Sequence, residues 1–328
     1  MKTLPQPPHL TNYTWRPAAR ADAAAIFQLF LDIDAHDHRH WAGTLHDWEM
    51  EFDDPDLDSS RDTLIALTPA GQAAALAWVY SPRQIENKHR AYLWPDIHPD
   101  HRLPELTDFV LRWSEARARQ ILAERNDGRP RLLRGSAMRH DHYRIDLFQS
   151  HGFTPIRYFF TMRRDLAHAV APVVLPAGLS MHPWSPEVDE RTFAAFNDSF
   201  RDHWGFEPVK KEIWDLFFVG RSSFRPDLSF VVMAGEAVVG FSINFHSPEE
   251  NARKGIDEGW IGDLGVVRAW RRQGVATALL NRSMQAFQAA GIAHAALGVD
   301  SENPTGALSV YENVGFAVIE QSMALGKT

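Results

Sequence analysis

Cysteine is absent from the 328 residues. Disulfides, thiolate metal ligands and a cysteine nucleophile are therefore excluded. No run of about 18 apolar residues occurs, so no transmembrane helix and no membrane partner are expected. Residues 1–20 are proline-rich and polar and lack the apolar core of a secretory signal, which makes a cytoplasmic protein the expectation. Positive charge is in deficit: 34 Lys and Arg face 42 Asp and Glu, for a formal net charge of −8. That balance argues against a general nucleic-acid binder. It suits a cationic substrate, although modest acidity also serves solubility alone.

What is present is ordinary globular composition, 45% hydrophobic and 23% charged, with length for about two domains of roughly 150 residues. A faint internal repeat supports that division. Thr14-Trp15-Arg16-Pro17, followed by Phe27 and Phe30, has a counterpart in Ser180-Met181-His182-Pro183, followed by Phe193 and Phe196, at an offset of 166. Phe148 to Gly152-Phe153 matches Tyr311 to Gly315-Phe316 at an offset of 163. Each of those glycines is placed to cap a short helix in the left-handed region. Pro172, Pro176 and Gly178 mark a linker over residues 167–178. The expectation is two tandem domains, 1–168 and 169–328. Each half runs helices, strands, a long helix, a strand, a short helix and a last strand. The fold class expected is α/β (α+β), a mixed central sheet flanked by helices in each domain.

The most informative stretch runs from Asp257 to Ala290. Gly259–Val267 reads as a buried strand, Arg268–Gln273 as a basic loop, and Gly274 opens a long helix with Val275, Leu279, Arg282 and Ala286 on one stripe. A strand, a basic loop and a helix start make an anion site, because the first helical N–H groups lack partners and the dipole favours negative charge. A pyrophosphate is the natural guest. Gly274 leaves room for it, and Arg271 and Arg272 add cationic donors. The spacing is that of neither a P-loop nor a dinucleotide fingerprint. Downstream come the strand Ala295–Val299, then Asn303-Pro304, suited to a helix N-cap and first position, then Tyr311 and Gly315-Phe316.

Arg271-Arg272-Gln273-Gly274-Val275-Ala276 and the closing Asn303-to-Phe316 segment resemble the acetyl-CoA signature of the GNAT acetyltransferase superfamily. The tandem layout resembles mycothiol synthase-like members. The resemblance is close over residues 259–324 and loose over the rest of the second half. It implies that acetyl-CoA is the cofactor, with the pantetheine arm on the backbone of Leu264 to Val267 (Val266 polarising the carbonyl) and the phosphates over Arg271 to Thr277. It further implies that Asn303 contacts the cofactor arm and that Tyr311 is the general acid for the leaving thiolate. The implied reaction is direct attack by a primary amine of a small-molecule acceptor.

For the general base, a carboxylate on the strand could accept the amine proton, directly or through water, with Asp263 first and Glu258 second. Strict alternation would place Ile261, Asp263 and Gly265 on one face. Phe196–Trp214 is the expected acceptor segment, where His203, Trp204, Phe206 and Glu207 would hold an amine by cation–π and ionic contacts. The alternative is that these aromatics pack between the domains.

The first half carries changes at each requirement. Aligning Ile97 with Val267 puts Pro104 at Gly274 and Glu105 beside it, while Phe148 replaces Tyr311 and His140 replaces Asn303. Proline has no N–H to offer, so this domain is expected to be a degenerate copy. His36, His38, His40 and His46 lie near Asp32, Asp34 and Asp37, but their irregular spacing reads as a polar helix end, and no metal is expected. A non-catalytic acyl-CoA sensor and a nucleotide-phosphate enzyme stay open as alternatives, as do a monomer and a homodimer.

Overall fold

The computed structural model describes residues 3–8, 12–83, 85, 87–125, 127–303 and 306–328. The chain forms two units: Met1–Arg157 with Ser322–Thr328, and Tyr158–Gln321.

The first unit contains β1 (Thr14–Arg16), α1 (Ala23–Asp37), α2 (Leu45–Glu51), α3 (Ser59–Asp62), β2 (Thr63–Leu67), β3 (Ala73–Tyr80), β4 (His89–Ile97), α4 (Pro104–Glu124), β5 (Arg131–Met138) and α5 (His142–Ser150). Its strands follow the order β1-β2-β3-β4-β5, with Ser322–Lys327 antiparallel to β5 at the far edge. Among the described residues only the β4–β5 pair is parallel, which requires the α4 crossover. Alternation along β3 divides the core. Ala75, Ala77 and Val79 pack with Phe109 and Val110 of α4, whereas Leu76 and Trp78 pack with Ile26, Leu29 and Phe30 of α1. Pro104 occupies the first helical position of α4, where no N–H is needed.

The second unit receives β6 (Thr154–Asp165), followed by β7 (Leu179–Pro183), α6 (Asp189–Phe200), α7 (Lys211–Phe217), β8 (Phe230–Ala234), β9 (Ala237–Phe245), α8 (Pro248–Lys254), β10 (Glu258–Val266), α9 (Val275–Ala289), β11 (His294–Asp300), α10 (Ala307–Asn313) and β12 (Ala317–Lys327). Its order is β6-β11-β10-β9-β8-β7, again with one parallel pair, β10–β11. Helix α9 buries Leu280, Met284 and Phe287 against one face, and α6 and α7 bury Phe196 and Trp214 against the other.

The linker prolines placed a boundary at 168/169, and the units divide differently. Phe159–Asp165 of β6 pairs with β11 inside the second unit, while Ser322–Lys327 of β12 pairs with β5 inside the first. Each repeat thus surrenders its final strand to the other. Local hydrophobic pattern reports that a strand forms, not which sheet receives it. The repeat glycines do take left-handed conformations, φ 78° at Gly152 and 90° at Gly315.

Candidate functional site

β10 and β11 pair only from Glu258↔His294 to Ile261↔Leu297, although β10 continues to Val266 and β11 to Asp300. Past that point the strands separate and a cavity of about 950 Å³ opens. Leu264, Gly265 and Val266 form one wall, the basic loop and the start of α9 another, and Asn303 and Tyr311 a third. This size falls among small-molecule and cofactor pockets.

A bulge between Ile261 and Asp263 aims the wall. It breaks the simple alternation expected from the sequence. Ile261 packs with Leu280, Met284 and Phe287 on the α9 side, and after the extra residue Leu264 and Val266 lie on that side too. Asp263 and Gly265 are turned to the opposite face. Val267 donates its N–H to Val239 O at 2.9 Å. Backbone alternation therefore directs the Val266 N–H to the separated edge. Val267 itself is committed to β9, and its side chain belongs to the α6-side core.

At the other end, Gly274 adopts φ 85° and α9 begins at Val275. The first helical bond is Ala278 N–H to Gly274 O, so the N–H groups of Val275, Ala276 and Thr277 have no acceptor within the helix. Arg272 is exposed, holds φ 60° and has no side-chain partner among the described residues. Arg271 differs. Its guanidinium donates to Val266 O at 3.1 Å, Asp202 at 3.0 Å and Ser199 O at 2.8 Å. The sequence reading treated the two arginines alike, but Arg271 clamps the end of α6 to the loop. Gln273 donates to Ala269 O and lies outside the cavity wall.

Tyr311 is 9% exposed and lines the cavity. Burial pushes its phenol up to about 12, and its hydroxyl makes no hydrogen bond among the described residues. Helix α10 starts at Ala307 after Gly306 at φ 77°, not at Asn303 as the sequence suggested. Pro304 lies outside the described residues. Asn303 nevertheless reaches the wall.

Asp263 does not line the cavity, but shares a face with Gly265, about 6.6 Å further along the strand, which does. Burial raises its carboxyl to about 7, opposed by the charge of Arg221. Glu258 is held at the far end of β10 by Arg163, with contacts of 2.9 and 2.8 Å, away from the cavity.

His203 lines the cavity with its ring edge-on to Phe200 at 4.5 Å. Burial, aided by the charge of Arg271, lowers its pKa below the ordinary histidine value. Trp204, Phe206 and Glu207 are partly buried but outside the wall. Phe206 packs on Phe196 and Phe200, and Trp214 is fully buried in the core of its own unit with its indole N–H on Asp189 at 2.9 Å.

Phe200, Asp202, Arg268 and Trp270, which fall inside the expected acceptor segment and basic loop but were given no role of their own, are all in the wall. The acidic Asp202 beside a basic loop was the available signal. Arg268 and Arg271 hold its carboxyl below the usual range.

The first unit repeats the strand separation: β4 and β5 pair only from His89↔Arg131 to Tyr92↔Arg134. Here the gap is filled. Arg144 is 1% exposed and donates to Ser136 O of β5 at 2.7 Å, and to Pro95 O at 3.3 Å and Asp96 at 2.5 Å of β4. At the repeat offset of 163 its counterpart is Ala307, which lines the open cavity. Arg39 joins Asp96 at 2.7 Å and Asp141 at 2.5 Å in the same buried network.

The loop also differs from the sequence alignment. Only Arg102 and Leu103 separate the 3-10 turn at Pro99–His101 from α4. Arg271 to Gly274 separate the turn at Arg268–Trp270 from α9. Pro104 therefore stands where Val275 does, Leu103 takes the N-cap place of Gly274, and the loop is two residues shorter. His140 is bonded to Asp37 O and His38 O. Of the expected polar helix end, Asp34 accepts from Trp41 and Ala42 N–H, and Asp37 pairs with Arg102. Among the described residues no group of three or more His, Asp or Glu could hold a metal ion, and no helix is long and apolar enough to cross a membrane.

Residues 190–316 match the acetyltransferase (GNAT) family model. The chain is similar to a mycothiol acetyltransferase of Pseudarthrobacter chlorophenolicus, 27% identical over 55% of this chain and 56% of that protein. It is also similar to one of Acidothermus cellulolyticus, 28% identical over 50% and 53%. The matches thus span about half the length of these curated relatives. Among solved structures, a GCN5-related N-acetyltransferase from Sphaerobacter thermophilus shares the fold at TM-score 0.71, with 23% identity over 98% of this chain and 96% of that one. A tandem GNAT protein from the clavulanic acid biosynthesis pathway does so at TM-score 0.71, with 16% identity over 96% and 98%. The chain therefore has the tandem GNAT fold, and its residues 190–316 are similar to the GNAT acetyltransferases.

Proposed function

We propose that the chain is an acetyl-CoA-dependent N-acetyltransferase acting on a primary amine of a small molecule, with the reaction confined to the second unit. The observation that carries this reading is one cavity joining an anion-suited helix start to a buried tyrosine hydroxyl that has no described partner. The bound cofactor supplies an acetyl group activated as a thioester. The N–H groups of Val275, Ala276 and Thr277, with the free cation of Arg272, suit its diphosphate. The separated edge of β10 offers Leu264 and Val266 to an amide-bearing arm in the manner of an added strand. The Val266 N–H is a fixed donor for a carbonyl oxygen gaining charge.

Tyr311 Oη keeps its proton at neutral pH and can deliver it to a departing sulfur. An incoming ammonium must lose a proton first. Asp263, with a carboxyl that titrates near neutrality, is the leading acceptor through water. His203, uncharged at neutral pH and in the wall itself, is the second. Direct transfer agrees with a chain that has no cysteine to carry an acyl group.

The test is CoA release from acetyl-CoA with a panel of small amines. Amine-dependent release supports the reading. Tight acetyl-CoA binding without release from any amine would instead identify a sensor, and protection from thermal unfolding by ATP but not CoA would identify a nucleotide site.

A further inference from the structure

The first unit has a cavity of its own, about 310 Å³, which shares no lining residue with the cavity of the second unit. Its walls are Phe30 of α1, Trp41, Trp48 and Glu51 of α2 and the preceding loop, and Trp78 and Trp94 of β3 and β4, with Leu76 and Ser136 completing the lining. Trp78 and Trp94 are cross-strand partners, so their side chains lie next to each other on the same sheet face. Phe30 and Trp48 meet at 4.4 Å and Trp48 stands edge-on to Trp78 at 6.2 Å. The Trp48 indole N–H is fixed on Ala42 O at 2.8 Å.

Apolar interiors normally close to crystal-like density, because a void deprives its lining of dispersion contacts. Five large aromatic residues framing open volume therefore call for a guest. Phe30 and Trp78 are nearly buried, while Trp41, Trp48 and Trp94 are partly exposed, so a solute can enter.

Charge selects the guest. Aromatic faces are electron-rich, and Glu51 supplies the formal charge in the wall. Asp54 and Asp56 are buried nearby: burial raises the Tyr80 phenol, and their charges, with that of Glu51, add to the rise. Tyr80, Tyr92 and Trp94 continue the aromatic surface from those acids to the cavity, at 6.2 and 6.3 Å between successive rings. One wall already faces a cation, the Arg144 guanidinium lying 5.7 Å from the Trp41 ring.

We infer that this cavity is an aromatic cage for a small organic cation with an alkylated ammonium head. Such a cation is held by ring faces rather than by hydrogen bonds. The volume accommodates a trimethylammonium head and a short tail. A phosphate-bearing ligand would meet the Glu51 carboxylate and mostly ring carbon, with Ser136 as the one hydroxyl in the wall.

The experiment is calorimetric titration of the full chain with choline and with its neutral isostere 3,3-dimethylbutan-1-ol. Choline is expected to saturate one site, with the alcohol about tenfold weaker. Trp94→Leu and Glu51→Gln should each weaken choline severalfold and leave acetyl-CoA binding unchanged. Equal affinity for the alcohol overturns the inference, since the cavity would then be merely apolar. So does a lack of choline binding, or choline affinity untouched in both variants. Should Trp94→Leu fail to fold, Glu51→Gln and the isostere comparison on the unmutated chain decide.

Discussion

Arg271 and Asp202 lie 3.0 Å apart and join the basic loop to the end of α6. Two arginines adjacent in sequence therefore do different work. Arg271→Ala should lower the melting temperature by a few degrees and loosen the α6 wall. Arg272→Glu should leave the melting temperature alone and weaken acetyl-CoA by about ten- to a hundredfold, the loss of a charge-assisted contact. Calorimetry and thermal melts on both variants check this. Retained affinity in Arg272→Glu contradicts the assigned phosphate end.

Removing one oxygen tests the acid. Tyr311→Phe keeps the ring that packs with Phe316. It should reduce kcat about a hundredfold with little change in acetyl-CoA affinity. A variant with normal turnover takes Tyr311 out of the chemistry.

Much of this site was legible because its chemistry is local. A strand, Arg271 to Gly274 and a helix start are consecutive, and Tyr311 sits four residues before a capping glycine. What was not legible depends on geometry that spacing cannot encode. The bulge at Ile261/Asp263 moved Ile261 to the other face. The clamp from Arg271 to Asp202 joins positions 69 apart. The first half was expected to be a degenerate copy from Pro104, Glu105, Phe148 and His140, while Arg144, which fills the gap, carries no local sequence signal for burial.

A titration should expose the proton acceptor. If Asp263 serves, kcat/KM rises with pH through a limb centred near 7, and Asp263→Asn abolishes that limb. If His203 serves, the limb falls below the ordinary histidine value and disappears in His203→Gln. Stability gives an independent reading. The folded carboxyl keeps its proton to about pH 7, whereas the unfolded one loses it near 4, so the native state binds the extra proton between. Stability contributed by that proton is present below about pH 4 and is lost as pH rises to 7. Asp263→Asn should therefore melt higher than the parent at pH 8 and the same at pH 4.

The buried network of the first unit should cap CoA stoichiometry at one per chain, measured by calorimetry. A second equivalent would mean that Arg144 yields its place. Arg144→Ala should cost about 3–5 kcal/mol in urea unfolding, since Asp96 would lose one of its two arginine partners while remaining buried.

The exchange of closing strands bears on biogenesis. During synthesis the earlier unit has its first five strands long before Ser322–Lys327 emerges, so β5 waits as a bare edge until that segment is made. Maturation of the half that appears first is thereby tied to synthesis of the half that follows. A ribosome that stalls before Ser322 leaves the later sheet with its margin β6, made long before, and the earlier sheet without one.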